Sequence, residues 1–160
     1  MHAKLIVGIM LLLIAGVGCT ATVQDTPVAA AQSQKNTPRE TGLIAGTISK
    51  YYDWDKTKFD QAVKEGKTIF LDFSANWCST CQNEEIHFKS AFDALNNPNV
   101  VGFKIHYKDD ETTAEHEALA EQYQIAYQHT KVLIKSGKVV LKSPEAWTAQ
   151  RFLEEMKKLG

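Results

Sequence analysis

Charge of one sign, basic runs and spare cysteines are all scarce in this chain. Its 160 residues hold 18 Lys and Arg against 19 Asp and Glu, a formal net charge of −1. No Lys/Arg run interleaves with aromatics, so the field that a nucleic-acid partner requires is missing and no nucleic acid is expected. Only three cysteines are present, Cys19, Cys78 and Cys81. Without a second Cys-x-x-Cys, the four ligands of a tetrahedral structural zinc are lacking. No internal repeat occurs, and the apolar run over residues 5–17 is too short to span a bilayer comfortably. The length fits one globular domain of about 110 residues with non-globular extras, expected as a monomer.

The chain opens with a pattern of its own. Lys4 supplies a positive charge ahead of the apolar run, which reads as a signal peptide over residues 1–18. Ala15-Gly16-Val17-Gly18-Cys19 is similar to the lipobox of bacterial lipoproteins, although Gly16 replaces the usual leucine. That resemblance implies lipidation of Cys19 and a membrane anchor outside the cytoplasm, with simple cleavage or a retained anchor as the alternatives. Residues 19–43, rich in Thr, Ala, Gln and Ser, lack apolar periodicity and read as a flexible tether. The domain is expected over 44–160.

Within it, Thr57 caps an expected helix over 58–65 that buries Phe59, Ala62 and Val63, with Gly66 at a left-handed C-cap. The apolar, β-rich run over 68–74 reads as a strand buried on both faces, interrupted only by Asp72. A long helix follows over 78–96, with Ile86, Phe88, Phe92 and Leu95 among its apolar positions, and then a strand over 100–107. Thr112 and Glu115 form a capping box for a helix to 124. Strands over 131–135 and 138–142 flank a Ser136-Gly137 turn, and an amphipathic helix over 144–159 closes the chain. The order βαβα then ββα predicts an α/β fold with a central mixed sheet between helices.

Two cysteines spaced Cys-x-x-Cys at a helix start can form a tight disulfide. The first sulfur, exposed near the helix N-terminus, gains stabilisation of its thiolate from backbone N–H groups and the dipole. Cys78 is therefore the expected attacking thiol, and Cys81, one turn inward, the resolving one. As a structural staple so small a ring would constrain the unfolded chain little.

The run from Phe70 through Asp72, Trp77, Cys78 and Cys81 resembles the strand, aromatic residue and redox pair of the thioredoxin family, and the likeness extends over about residues 55–160. It implies a thioredoxin-like α/β fold and a thiol–disulfide oxidoreductase with no cofactor beyond its Cys78/Cys81 disulfide. Asp72 falls on the family's buried acid, implied to move a proton to or from the inner cysteine; burial would raise its pKa. An edge-strand aspartate in water is the alternative. Trp77 reads either as a lid over the disulfide that meets substrate or as packing. Trp54 with its helix and Gly66-Lys67 also resembles the C-terminal domain of the transmembrane disulfide reductases. Ser79-Thr80 leaves the redox direction open, with reduction favoured slightly.

One position departs from that pattern. The segment Thr130-Lys-Val-Leu-Ile matches the strand that the family opens with a cis-proline facing the redox pair, and His129 stands there instead. A cis Gln128-His129 bond would cost about 3 kcal/mol, so a trans bond is expected. The family's cis-proline is implied to help bind substrate backbone, and by that resemblance His129 and Thr130 are the expected substrate-binding residues beside Trp77. An imidazole facing two sulfurs also resembles the copper site of the Sco family, which makes a copper carrier using Cys78, Cys81 and His129 the alternative function. The other readings of His129 are a base tuning Cys78 and a neutral substitution. His87, His106 and His116 suit surface or packing roles. A third class, a peptide-binding module without turnover, stays open. The expected partners are client proteins with disulfides or thiols, an upstream membrane thiol donor, and the membrane itself.

Overall fold

A computed structural model describes residues 40–160. The expected signal peptide, Cys19 and all but the end of the expected tether lie outside the described residues. The chain runs β1 (Leu43–Ala45), β2 (Lys50–Asp53), α1 (Lys56–Lys64), β3 (Thr68–Ser74), α2 (Ser79–Ala94), β4 (Val100–His106), α3 (Ala114–Gln122), β5 (Thr130–Lys135), β6 (Lys138–Ser143) and α4 (Ala149–Leu159). The strands form one six-stranded mixed sheet in the order β1-β2-β4-β3-β5-β6. β2, β4 and β3 run parallel, and β5 and β6 continue antiparallel. No described helix is long and apolar enough to cross a membrane.

Alternation along each strand divides the core into two layers. Ile69, Leu71 and Phe73 of β3 pack with Phe59 and Ala62 of α1 and with Leu119 and Ala120 of α3. Phe70 points the other way, joining Phe88, Ala91 and Phe92 of α2 and Phe152 and Met156 of α4. Asp72, two residues from Phe70, therefore faces α2, the helix that carries Cys81.

Several boundaries differ from the sequence reading. α1 starts at Lys56 because the Asp55 carboxylate, not Thr57, accepts the Lys58 backbone N–H at 3.0 Å. Val63 turns out to be 40% exposed, since Phe59 and Ala62 already fill the buried stripe. Gly66 has φ +68°, with its N–H donating to the Val63 carbonyl and the Lys67 N–H to that of Ala62, which closes the helix as expected. α2 leaves Ile86 65% exposed on its outer side. The α3 capping box is Thr113 with His116: the Thr113 hydroxyl accepts the His116 N–H, and the His116 ring accepts that of Thr113. Thr112 instead gives its hydroxyl to Asp109 at 3.0 Å. α4 begins only at Ala149, capped by Thr148, and Trp147 is buried in the segment before it.

Candidate active site

β3 delivers the chain to a short loop, and Cys78 is the N-cap of α2, with φ −85° and ψ 108°. Its Sγ accepts the Cys81 backbone N–H at 3.2 Å, so the orphan donor of the first helical turn is spent on this sulfur. Cys78 and Cys81 form a disulfide with their Cα atoms 5.3 Å apart. Cys78 is 6% exposed and Cys81 2%, so the first sulfur is far less open than expected. The bridge and the N–H bond draw it inward over the helix start, where Ala75 packs against both cysteines.

Trp77 projects from the loop and is 60% exposed, with its indole N–H donating to the Lys108 carbonyl at 2.8 Å. It is anchored to the β4–α3 loop and leaves an open aromatic face beside the redox pair; it is not core packing. Asn76 ties the same two loops together, its N–H donating to the Asp109 carboxylate at 2.9 Å. His106 holds that carboxylate from the other side at 3.0 Å.

Asp72 is buried, and the Tyr51 hydroxyl donates to its Oδ2 at 2.9 Å. Burial, then the nearby Glu84 charge, push its pKa from the ordinary 3.8 up to about 7, against the pull of the Tyr51 bond and of Lys131 and Lys104. The edge-strand alternative fails because β3 is central in the sheet. Tyr51 escaped the sequence reading; it reaches Asp72 because β4 has Gly102 where a side chain would block it. A Cβ there would meet Phe92 Cζ at 2.5 Å and Tyr51 Cδ2 at 2.8 Å. Burial and the Asp72 charge in turn raise the Tyr51 pKa well above its ordinary value, so its hydroxyl stays a donor.

Also missed was a buried ion pair. Glu84 of α2 and Lys131 of β5 are both buried and bonded to each other, and the Lys131 ammonium also donates to the His129 carbonyl at 2.7 Å. A lysine inside the apolar run Thr130–Lys135 was the available signal, because a buried ammonium demands a partner.

Thr130 pairs with Phe73 in the ladder, so His129 stands just beyond β5, beside the end of β3 that leads to the cysteines. It follows a trans bond with φ +52°; its ring lies 5.6 Å from that of Tyr127, and its Nδ1 has no partner. The buried Thr130 donates its hydroxyl to the Tyr127 carbonyl at 2.8 Å. Among the described residues no three His, Cys, Asp or Glu side chains stand together as a metal ion would require, Cys78, Cys81 and His129 included.

A sulfur pair at a helix N-terminus, with a protonatable acid on the strand beneath it, defines a dithiol–disulfide exchange domain. The Thioredoxin family model matches residues 50–158. The chain belongs to the thioredoxin family. A thioredoxin H-type from Fagopyrum esculentum is 30% identical over 88 residues, covering 55% of this chain and 68% of that protein. The fold is also that of a thioredoxin F from spinach chloroplast, with TM-score 0.57 and 21% identity over 70% of this chain and 88% of that one. A mutant thioredoxin from Halobacterium salinarum gives TM-score 0.55 and 22% identity over 68% of this chain and 88% of that one.

Proposed function

We propose that this thioredoxin-family oxidoreductase works as a membrane-anchored reductase of protein disulfides outside the cytoplasm. The observation that carries the exchange chemistry is the Cys78 sulfur, held at the start of α2 by the Cys81 N–H above a protonatable Asp72. In the reduced enzyme the Cys78 thiolate attacks a client disulfide, forming a mixed disulfide and releasing one client thiolate. Cys81 gives its proton to Asp72 and attacks Cys78 Sγ, closing the Cys78–Cys81 bond and releasing the second client thiolate. Two electrons pass from enzyme to client, and a membrane thiol donor restores the dithiol.

The charges that β3, β4, β5 and α2 bring around Asp72 support the reducing direction. In the reduced enzyme, with Cys81 holding its proton and Asp72 ionised, the carboxylates of Asp72, Glu84 and Glu85 outnumber the ammonium groups of Lys104 and Lys131, so a thiolate on the sulfurs is disfavoured. A dithiol whose thiolate is less stable is the stronger reductant. The extracytoplasmic setting and the lipid on Cys19 rest on the lipobox likeness and on the signal-peptide pattern.

Cys78→Ser is expected to abolish insulin disulfide reduction while the fold survives; retained turnover overturns the assignment. Cys81→Ala should accumulate mixed disulfides with clients, whereas a pure binding module yields none. A globomycin-sensitive mobility shift of the precursor tests the lipid anchor, and its absence leaves simple secretion.

A further inference from the structure

Asp72 sits in a row of charges set by strand register. It pairs with Lys104 of β4 on one side and with Lys131 of β5 on the other. Cross-strand partners share a sheet face about 5 Å apart, so either ammonium is placed to serve the Asp72 carboxylate. Each is drawn instead to a glutamate of α2. Lys104 bonds Glu85 at 2.8 Å, and Lys131 bonds Glu84. The two lysines differ in burial: Lys104 and Glu85 keep contact with solvent, whereas Lys131 and Glu84 are buried. Glu84 lies one helical turn beyond Cys81. Its Oε1 also accepts the Trp147 backbone N–H at 2.8 Å, and its Oε2 has no partner. A buried ion pair of this kind costs desolvation, and a hydrophobic pair in its place is often as stable. Disulfide exchange by Cys78, Cys81 and Asp72 makes no direct use of it.

With every group ionised, Glu84, Lys131, Asp72, Lys104 and Glu85 sum to one negative charge; one proton makes the row neutral. Glu84 and Glu85 each hold an ammonium, while Asp72 has only the Tyr51 hydroxyl, so the proton belongs on Asp72. Asp53, opposite Lys104 on β2, is exposed and adds little.

We propose that Glu84 is a positioning residue of the redox site: by engaging Lys131 it withholds that ammonium from Asp72 and keeps Asp72 a proton carrier for Cys81. When Cys81 attacks the mixed disulfide, Asp72 takes its proton; when a thiol donor reopens the disulfide, the Cys81 thiolate takes that proton back. If Lys131 were free to pair with Asp72, the carboxylate would be a weaker base and the Cys81 proton would leave less readily. This inference rests on the exchange reading of the site and assigns to that reading a pair on β5 and α2 outside the cysteine loop.

The test is titration of the Asp72 carboxyl by carbon NMR in the oxidised full-length protein, together with the pH profile of single-turnover exchange. Glu84→Gln keeps the size of the side chain and an acceptor for the Trp147 N–H but takes the carboxylate charge away from Lys131, whose ammonium keeps its bonds to the His129 and Glu145 carbonyls. The expected Asp72 midpoint of this variant is lower by about one pH unit, a tenfold weaker hold on the proton, and the profile shifts with it. The Glu84→Gln/Lys131→Met double variant removes the ammonium as well, so its midpoint should lie between Glu84→Gln and the unaltered protein. A folded, disulfide-bonded Glu84→Gln whose Asp72 midpoint is unmoved or raised overturns the proposal, as does a double variant whose midpoint falls as far as that of Glu84→Gln. The titration needs no client protein, so a protein that shifts as expected but fails to reduce insulin would overturn the reductase reading alone.

Discussion

Replacing Asp72 by Asn should stabilise the protein, and the size of the gain should depend on pH. The Asp72 pKa rises from 3.8 to about 7 in the folded chain, chiefly through burial. A group held protonated by the fold binds its proton more tightly folded than unfolded. Below about pH 3.8 both states carry the proton and the carboxyl is neutral to stability. Between there and about pH 7 the unfolded chain gives it up while the folded one keeps it, so stability falls as pH rises and levels off above. The whole loss is about 4 kcal/mol as a ceiling, since water entry and relaxation reduce it. Asn cannot ionise, and its amide oxygen can still accept the Tyr51 hydroxyl. The advantage of Asp72→Asn should therefore grow by about 3 kcal/mol between about pH 4.5 and pH 8.5. Urea unfolding of the oxidised protein at the two pH values, with equal slopes for the two proteins, measures it. A gain that is the same at both pH values, or a loss on the alkaline side, would refute the burial of an ionisable Asp72.

Two further perturbations test the scaffold around the site. Gly102→Ala forces a methyl against the Phe92 and Tyr51 rings, which stack at 5.0 Å, and should lower stability by about 1–3 kcal/mol in the same unfolding assay. An unchanged midpoint would mean those rings can part freely. Trp77→Phe loses only the 2.8 Å bond to the Lys108 carbonyl from an exposed side chain, so stability should change by no more than about 1.5 kcal/mol. kcat/KM for insulin reduction should fall several-fold, and full retention would show that the indole does not meet clients.

Much of the fold was legible because its elements are long and locally consistent. The run Thr68–Ser74 is continuous apart from Asp72, the pattern of a strand buried on both faces. β1 and β2 were not legible: at three and four residues they carry too little alternation, and Lys50 and Asp53 bracket the two tyrosines of β2. The α4 boundary was misread because Trp147 has the hydrophobicity of a helix face. Yet its indole N–H donates to Ser143 at 3.1 Å and its backbone N–H to Glu84, which holds it in the segment before the helix.

The site divides along the same physical line. Cys78 and Cys81 announce themselves through spacing at a helix start, and Asp72 through its likeness to the family's buried acid, all within one strand–loop–helix unit. Tyr51 and the Glu84–Lys131 pair depend on register across the sheet and on which face of α2 meets it, separations of 21 and 47 residues.

The same distant pairing bears on the missing proline. The Lys131 ammonium donates to the His129 carbonyl, and the Thr130 hydroxyl to that of Tyr127, so the loop opening β5 is pinned at two carbonyls. Within that loop His129 has φ +52°, a region uncommon for L residues, though less so for His, Asn and Asp. A proline would fix φ near −65° by its own ring, whereas here side-chain donors hold the loop at its carbonyls. Lys131 thus joins Glu84 on one side to the loop that carries His129 on the other. If Glu84 positions Lys131 as proposed, the ammonium that governs the Asp72 proton is also one of the two donors that pin the loop opening β5.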